Sequence, residues 1–360
     1  MDEGVTPGLV VLVAAGGRTL MHEAFGARQL DPVRMAATPD TVYDLASLTK
    51  ALATSTLAMQ AVAEGSLSLD GAAPGQAGAG GATIRQLLAH ASGLPAHRRY
   101  YETVLAPRSV PTRQARADLL ALAAREPLEG PPGARSVYSD VDFILLGDHL
   151  ERLLGDKLDV LAMQRVFRPF GARALGYVDV ATTSRTPPPS FDWLPVAPTQ
   201  RCAFRGRMVV GEVDDLNAYA MGGVAGHAGL FGTAADVAAV AQALCAAWRD
   251  AAPEAAGPPL VPRDVLRTFW APAGIPGSTW RLGWDGPAAT GSLAGDLFAR
   301  SAVGHLGYTG CSLWIDPERE TFVLVLSNRI HPVPRDDPRF RTLRAALNDA
   351  ALEGAGYHAG

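Results

Sequence analysis

The stretch "GLVVLVAAGGRTLMHEAFG", residues 8–26, decides how this chain of 360 residues folds. β-Branched and apolar residues over 8–14 stop at Gly16-Gly17 and resume over 18–26, which is the pattern of a β-hairpin. Two further strand patterns stand at the opposite end, "CSLWIDP" (311–317) and "TFVLVLSN" (321–328), joined by the turn "PERE" and followed by the helix-patterned "PRFRTLRAALNDAALEG". Between the ends the apolar period is helical over 45–64, 83–88, 113–124, 141–154 and 233–248. Strands at both ends of a helical middle predict one sheet built from the two termini and a second, mostly helical lobe, with a cleft between them. The expected layout is a single catalytic domain over 1–360, its α/β lobe at about 4–45 and 298–354 and its helical lobe at about 46–297. The runs "GAAPGQAGAGGAT" (71–83) and "TPPPSFDWLP" (186–195) read as surface loops, the first lacking the G-K-[ST] ending of a phosphate cradle.

Composition narrows the function. A net charge of −4 with no basic block gives no electrostatic footprint for nucleic acid or an anionic membrane, which leaves small-molecule or peptide substrates and an open oligomeric state. Cys202, Cys245 and Cys311 are far apart and read as reduced, mostly buried thiols. The opening residues lack the three regions of a signal peptide, and no apolar run approaches a bilayer span, so a cytoplasmic location is expected for the chain as written. No histidine pair has helical metal-ligand spacing beside a carboxylate, so neither metal nor cofactor is expected.

Of 32 basic residues only Lys50 and Lys157 are lysines. Arginine keeps its proton near neutrality, whereas a buried lysine can release it, so a lysine retained in this arginine-rich chain calls for a reason. Lys50 sits in "YDLASLTKALAT" (43–54), three residues after Ser47. With Asp44 as N-cap and Gly65 as stop, the spacing puts both side chains on one helix face. There a desolvated lysine of lowered pKa would take the serine proton. Tyr138 follows a Pro-Gly turn in "PPGARSVYSDVDFILLGDHLERLLG" (131–155), where a nearby ammonium would favour its phenolate as a proton relay. A packed loop tyrosine fits the same residues, and Asp140 fits a helix cap. In "SAVGHLGYTGCSLWIDP" (301–317) the glycines permit close backbone approach to a ligand, and an exposed N–H there could join that of Ser47 in an oxyanion hole. His227 and His90 read as satisfied loop histidines.

These three elements, in this order, resemble the motifs of the penicillin-recognising serine hydrolases, within them the class C β-lactamase, DD-peptidase and esterase branch. Ser47-Leu48-Thr49-Lys50 matches the first motif, Tyr138-Ser139-Asp140 the second and His305-Leu306-Gly307 the third. The resemblance implies an α/β (α+β) serine β-lactamase-like fold, Ser47 as acylated nucleophile, Lys50 and Tyr138 sharing its proton, and Tyr308 giving a backbone N–H to the oxyanion hole. Asp140, His305 and Gly307 are the expected substrate-binding positions. Two residues depart from the pattern: Asp140 replaces asparagine, and His305 replaces a lysine that would hold a carboxylate. The stretch 196–233 is similar to a subgroup that includes exo-acting N-acetylmuramyl-L-alanine amidases, although Asp214 stands where that subgroup often has histidine. The implied activity is hydrolysis of an amide or ester, foremost in a cell-wall-derived peptide or muropeptide. A short-chain esterase, a DD-carboxypeptidase, a weak β-lactamase and an acyl-sensing or scaffold homologue are the alternatives. Arg201, Arg205 and Arg207 are candidates for the cation that His305 does not guarantee.

Overall fold

The computed structural model describes residues 4–181, 194–249, 259–335 and 337–357; most of the proline-rich stretch 186–195 lies outside them. The two chain ends meet in one antiparallel sheet of six strands, in the order Met35–Ala36, Arg18–Gln29, Gly8–Ala15, Thr321–Ser327, Ser312–Asp316, Val303–Leu306. Register places Val11 opposite Val325 and Val13 opposite Val323. These central strands alternate between two buried faces, which is why they read as unbroken apolar runs. Leu9, Val11, Val13, Val323 and Val325 pack with Leu352 of the closing helix Arg339–Gly354. Val10, Leu12, Leu324 and Leu326 join the large core shared with the helical middle.

That middle contains the expected helices, Ile84–Leu88 capped by Thr83, Arg113–Ala124, Asp140–Leu154 and Ala234–Arg249. The run 71–83 is more ordered than a plain loop, since it holds a short helix, Gly75–Ala79, and closes through a bridge between Ala72 and Thr83. All three cysteines are buried and unpaired.

The start of the first helix differs from expectation. Tyr43–Asp44 is a short strand that pairs with Leu230–Gly232, so Asp44 caps no helix. Its Oδ1 instead accepts Ala46 N–H at 2.8 Å and its Oδ2 accepts Asp214 N–H at 2.7 Å. The first of these bonds holds Ala46 in the left-handed region (φ 47°), a strained turn for a residue with a Cβ. Immediately after it come Ser47 and a π-helical turn, Lys50–Ser55, that runs into the helix Thr56–Ala63. Gly65 ends this segment with positive φ, as expected.

Candidate active site

Lys50 is wholly buried, and each hydrogen of its ammonium has an acceptor. Nζ donates to Ser47 Oγ at 2.9 Å, to Asp140 Oδ1 at 2.8 Å and to the carbonyl of His227 at 3.0 Å. Three elements therefore converge on one cation: the turn after Ala46, the first turn of Asp140–Leu154, and the glycine-rich loop around His227. That loop passes so close to the helix that a Cβ on Gly226 would lie 2.1 Å from Phe143 O, which explains a glycine there.

The protonation states differ from those expected of the sequence. Burial alone would lower the Lys50 pKa, but the Asp140 carboxylate and Tyr138 outweigh it and raise the value. Lys50 is accordingly a resident ammonium with no lone pair to offer a serine proton. Asp140, conversely, is held below the usual carboxylate range; its burial opposes this, and Lys50 and His97 prevail. Nor does Asp140 cap its helix: Ser139 does, accepting Asp142 N–H. The second oxygen of Asp140 faces His97 Nδ1 at 3.2 Å.

Tyr138 shows 36 % of its surface to the cleft, yet the protein crowded around it raises its pKa above that of a free phenol, with Lys50 pulling the other way. The resting group is therefore a phenol in the field of an ammonium, whose Nζ is 4.9 Å from the ring centre. Its loop is clamped by His90, which read in the sequence only as a satisfied loop histidine. The His90 carbonyl accepts Val137 N–H at 2.7 Å and its Nδ1 accepts Ser139 N–H at 3.1 Å. Accepting at Nδ1 leaves the proton on Nε2, and burial, with Lys50 nearby, holds the ring neutral. Trp280, unsignalled in the sequence, stacks on the Tyr138 ring at 5.4 Å.

In the third element, Gly307 N–H is committed to Cys311 O, so it is not an oxyanion donor. Its contribution is close approach, since a Cβ at 307 would lie 2.7 Å from Leu45 O, two residues before Ser47. Among the described residues, neither Ser47 N–H nor Tyr308 N–H donates a hydrogen bond. His305 is buried, and its Nδ1 lies 2.9 Å from the carbonyl of Leu306. Burial and the Lys50 charge push its pKa down to about 3, so it is a neutral ring and supplies no cation. The arginines proposed to replace that cation are committed elsewhere. Arg201 pairs with Asp31, Arg207 with Glu212, and Arg205 is buried, donating to the carbonyls of Val213 and Asp214 across the Tyr219 ring.

Ser47, Tyr138 and Tyr308 line two adjoining cavities. One, of about 470 Å³, has Asp44, His97, Asp140, Asp214, Asp215 and His227 on its walls. The other, of about 400 Å³, has Trp280, His305, Arg329, Arg341 and Arg344. The arrangement offers a serine hydroxyl beside a fixed cation, a phenol for proton transfer and two free N–H groups for a developing oxyanion.

Comparison with known proteins agrees with this chemistry. The chain is 30 % identical over 369 residues to an N-acetylmuramyl-L-alanine amidase of Bacillus subtilis, with 92 % of this chain and 80 % of that one covered. It is 29 % identical to a putative D-alanyl-D-alanine carboxypeptidase of Escherichia coli K12, with the same coverage. Its fold matches the octameric penicillin-binding protein homologue of Pyrococcus abyssi with a TM-score of 0.70 at 20 % identity, covering 98 % of this chain and 75 % of that one. No helix among the described residues is long and apolar enough to cross a membrane. The family model for beta-lactamases matches residues 1–348, so the chain belongs to the beta-lactamase family and is a serine hydrolase.

Proposed function

We propose that the protein hydrolyses an amide or ester of a cell-wall-derived peptide through an acyl-enzyme on Ser47. The observation that carries this reading is the fully satisfied Lys50 ammonium, which fixes Ser47 Oγ at 2.9 Å in the mouth shared by the two cavities.

Because Lys50 has no free lone pair, the base is the Tyr138 phenolate, formed at a cost that the neighbouring ammonium reduces. Ser47 Oγ attacks the substrate carbonyl as its proton passes to the Tyr138 oxygen. The resulting oxyanion is met by the N–H groups of Ser47 and Tyr308. Collapse breaks the bond to the leaving group, which takes the proton from Tyr138. A water then gives its proton to Tyr138 while its oxygen attacks the acyl-enzyme, and the bond from the acyl carbon to Ser47 Oγ breaks as that proton passes from Tyr138 to Oγ.

Substrate class follows from the relatives and the walls. The curated relatives are named as an amidase and a carboxypeptidase, both amide-cleaving. With His305 neutral, a substrate carboxylate finds its cation in Arg329 and Arg341 on the wall of the smaller cavity.

The test is intact mass spectrometry after mixing with an activated ester, alongside muramyl-peptide turnover. The wild type should gain one acyl group and lose it with time, and Ser47→Ala should gain none. An adduct of equal yield on Ser47→Ala would overturn the assignment.

A further inference from the structure

We propose that the larger cavity is a subsite for a positively charged amino group carried by the substrate close to the bond that is cut. This rests on the hydrolase reading above and adds the substrate's charge to it: an ammonium in the larger cavity and a carboxylate in the smaller, as in a short peptide with both ends free.

The argument begins from which charges are already spent. Asp140 is neutralised by Lys50 beneath it, and its outer oxygen is taken by His97. Arg99, the one arginine on this wall among the described residues, stands at the exposed rim and pairs with Glu102. Asp215 is different. Its Oδ1 accepts both Ala218 N–H at 2.7 Å and His227 Nε2–H at 2.8 Å, while no partner reaches Oδ2 among the described residues. Asp214, next to it and only 7 % exposed, binds Gln200 through Oδ2 and feels the charge of Arg205, while its Oδ1 accepts no hydrogen bond among the described residues. His227 Nδ1, also on this wall and buried, likewise has no partner among the described residues.

Asp214 Oδ1 is a buried carboxylate oxygen without a donor, which costs more than a satisfied one, and a wall that also carries the open Asp215 Oδ2 and the unpartnered His227 Nδ1 is prepared for a donor that arrives from outside. An ammonium brings three donors and a positive charge, which answers both needs. An anion or an apolar group would answer neither. Burial raises the pKa of the Asp214 carboxyl against the opposing pull of Gln200 and the buried Arg205, and an arriving ammonium would favour its charged form further.

Position gives the proposal its reach. His227 holds Asp215 with its ring and accepts from Lys50 with its own carbonyl at 3.0 Å, so one residue separates this carboxylate from the catalytic floor. An amino group remote from the scissile carbonyl would project past the site. The opposite wall carries Arg329, Arg341 and Arg344 against Asp285 and Asp337, a net excess of cations, so a zwitterion laid across Ser47 is favoured in one sense over the reverse.

The experiment measures binding of two ligands to the non-turning-over Ser47→Ala protein by calorimetry: alanyl-alanine and propionyl-alanine, in both the L and D series. They share the carboxylate and differ only in the ammonium. The expected result is at least about tenfold tighter binding of alanyl-alanine, about 1.4 kcal/mol, in one series. Adding Asp215→Asn should reduce that preference to less than about twofold, since asparagine keeps the helix cap but not the charge. Asp214→Asn serves as a second variant should the first fail to fold. Equal affinity, a preference that survives both variants, or no binding of either ligand at millimolar concentration overturns the proposal. Wild-type hydrolysis of a propionyl phenyl ester reads the hydrolase assignment separately: turnover there without an ammonium preference removes only the subsite. An ammonium preference without acylation removes only the hydrolase reading.

Discussion

Beneath Ser47, Lys50 and Asp140 lie 2.8 Å apart and every proton Lys50 can give is accepted, whereas the walls above leave charge unspent. Asp215 keeps a free oxygen on one side, and on the other Arg329 and Arg341 form no ion pair among the described residues. Paired, desolvated charges hold one geometry and fix where protons reside; unpaired charges at an open wall hold nothing internal and await something external. In the proposed mechanism the floor governs chemistry and the walls govern choice of substrate, so variants of the two should fail in different ways.

The largest effects belong to the floor. Ser47→Ala should lower turnover by at least about a thousandfold with unfolding unchanged. Lys50→Ala should remove activity to a similar extent and also cost about 3 kcal/mol of folding stability, because it leaves Asp140 without its cation. Chemical denaturation of both variants separates them. If Lys50→Ala is as stable as Ser47→Ala, the pair is not the keystone of the floor. Tyr138→Phe comes next, with kcat reduced by about a hundredfold or more and KM little changed, the signature of a lost proton relay.

The floor was also the part most legible in sequence. Ser47 and Lys50 are three apart on one segment, so local geometry brought them together, and the rarity of lysine marked one of them. The terminal strands were equally legible, since burial on both faces leaves continuous apolar runs at Gly8–Ala15 and Thr321–Ser327. What stayed hidden depended on distant pairings. Asp44 has the look of an N-cap because caps are acidic or hydroxylated, but the strand Leu230–Gly232 claims it for a sheet. Arg201, Arg205 and Arg207 are close to the cleft in sequence and are drawn away by Asp31, Glu212 and nearby carbonyls. His90, Trp280, His97 and Asp215 carry no local signal, for each acquires its role from a residue on another element. Lys50 shows the same limit in protonation: burial was legible and argued for a lowered pKa, but the carboxylate that reverses the shift lies in another motif.

Asp140→Asn tests the link between the two regions with a smaller effect. The Asp140 charge raises the pKa of both Lys50 and Tyr138, so its removal lets each lose its proton at lower pH. The rising limb of kcat/KM, which reports formation of the Tyr138 phenolate, should move toward acid, and the fall caused by loss of the Lys50 ammonium should follow it. Stability has its own sign. The folded Asp140 carboxyl is depressed, so it contributes stability above the unfolded carboxylate pKa and loses it as pH falls toward the folded value. Asp140→Asn should therefore flatten the acid limb of the stability curve. An unshifted rate profile would mean that Asp140 does not set the proton inventory.

The smallest effect expected is on the arginine wall. Arg341 lines the smaller cavity from the exposed side of the closing helix, with no ion pair among the described residues, so Arg341→Ala should leave folding and kcat essentially unchanged. A guanidinium facing water attracts a carboxylate only weakly, and Arg329 remains nearby, which limits the loss to about threefold to tenfold in KM. The loss should appear with a carboxylate-bearing substrate and vanish with its neutral amide, and added salt should shrink it as screening replaces the missing charge. An equal rise in KM for both substrates would mean that the wall acts through shape. A fall in kcat would mean that Arg341 belongs with the floor, and the separation of chemistry from choice would have to be redrawn around the closing helix.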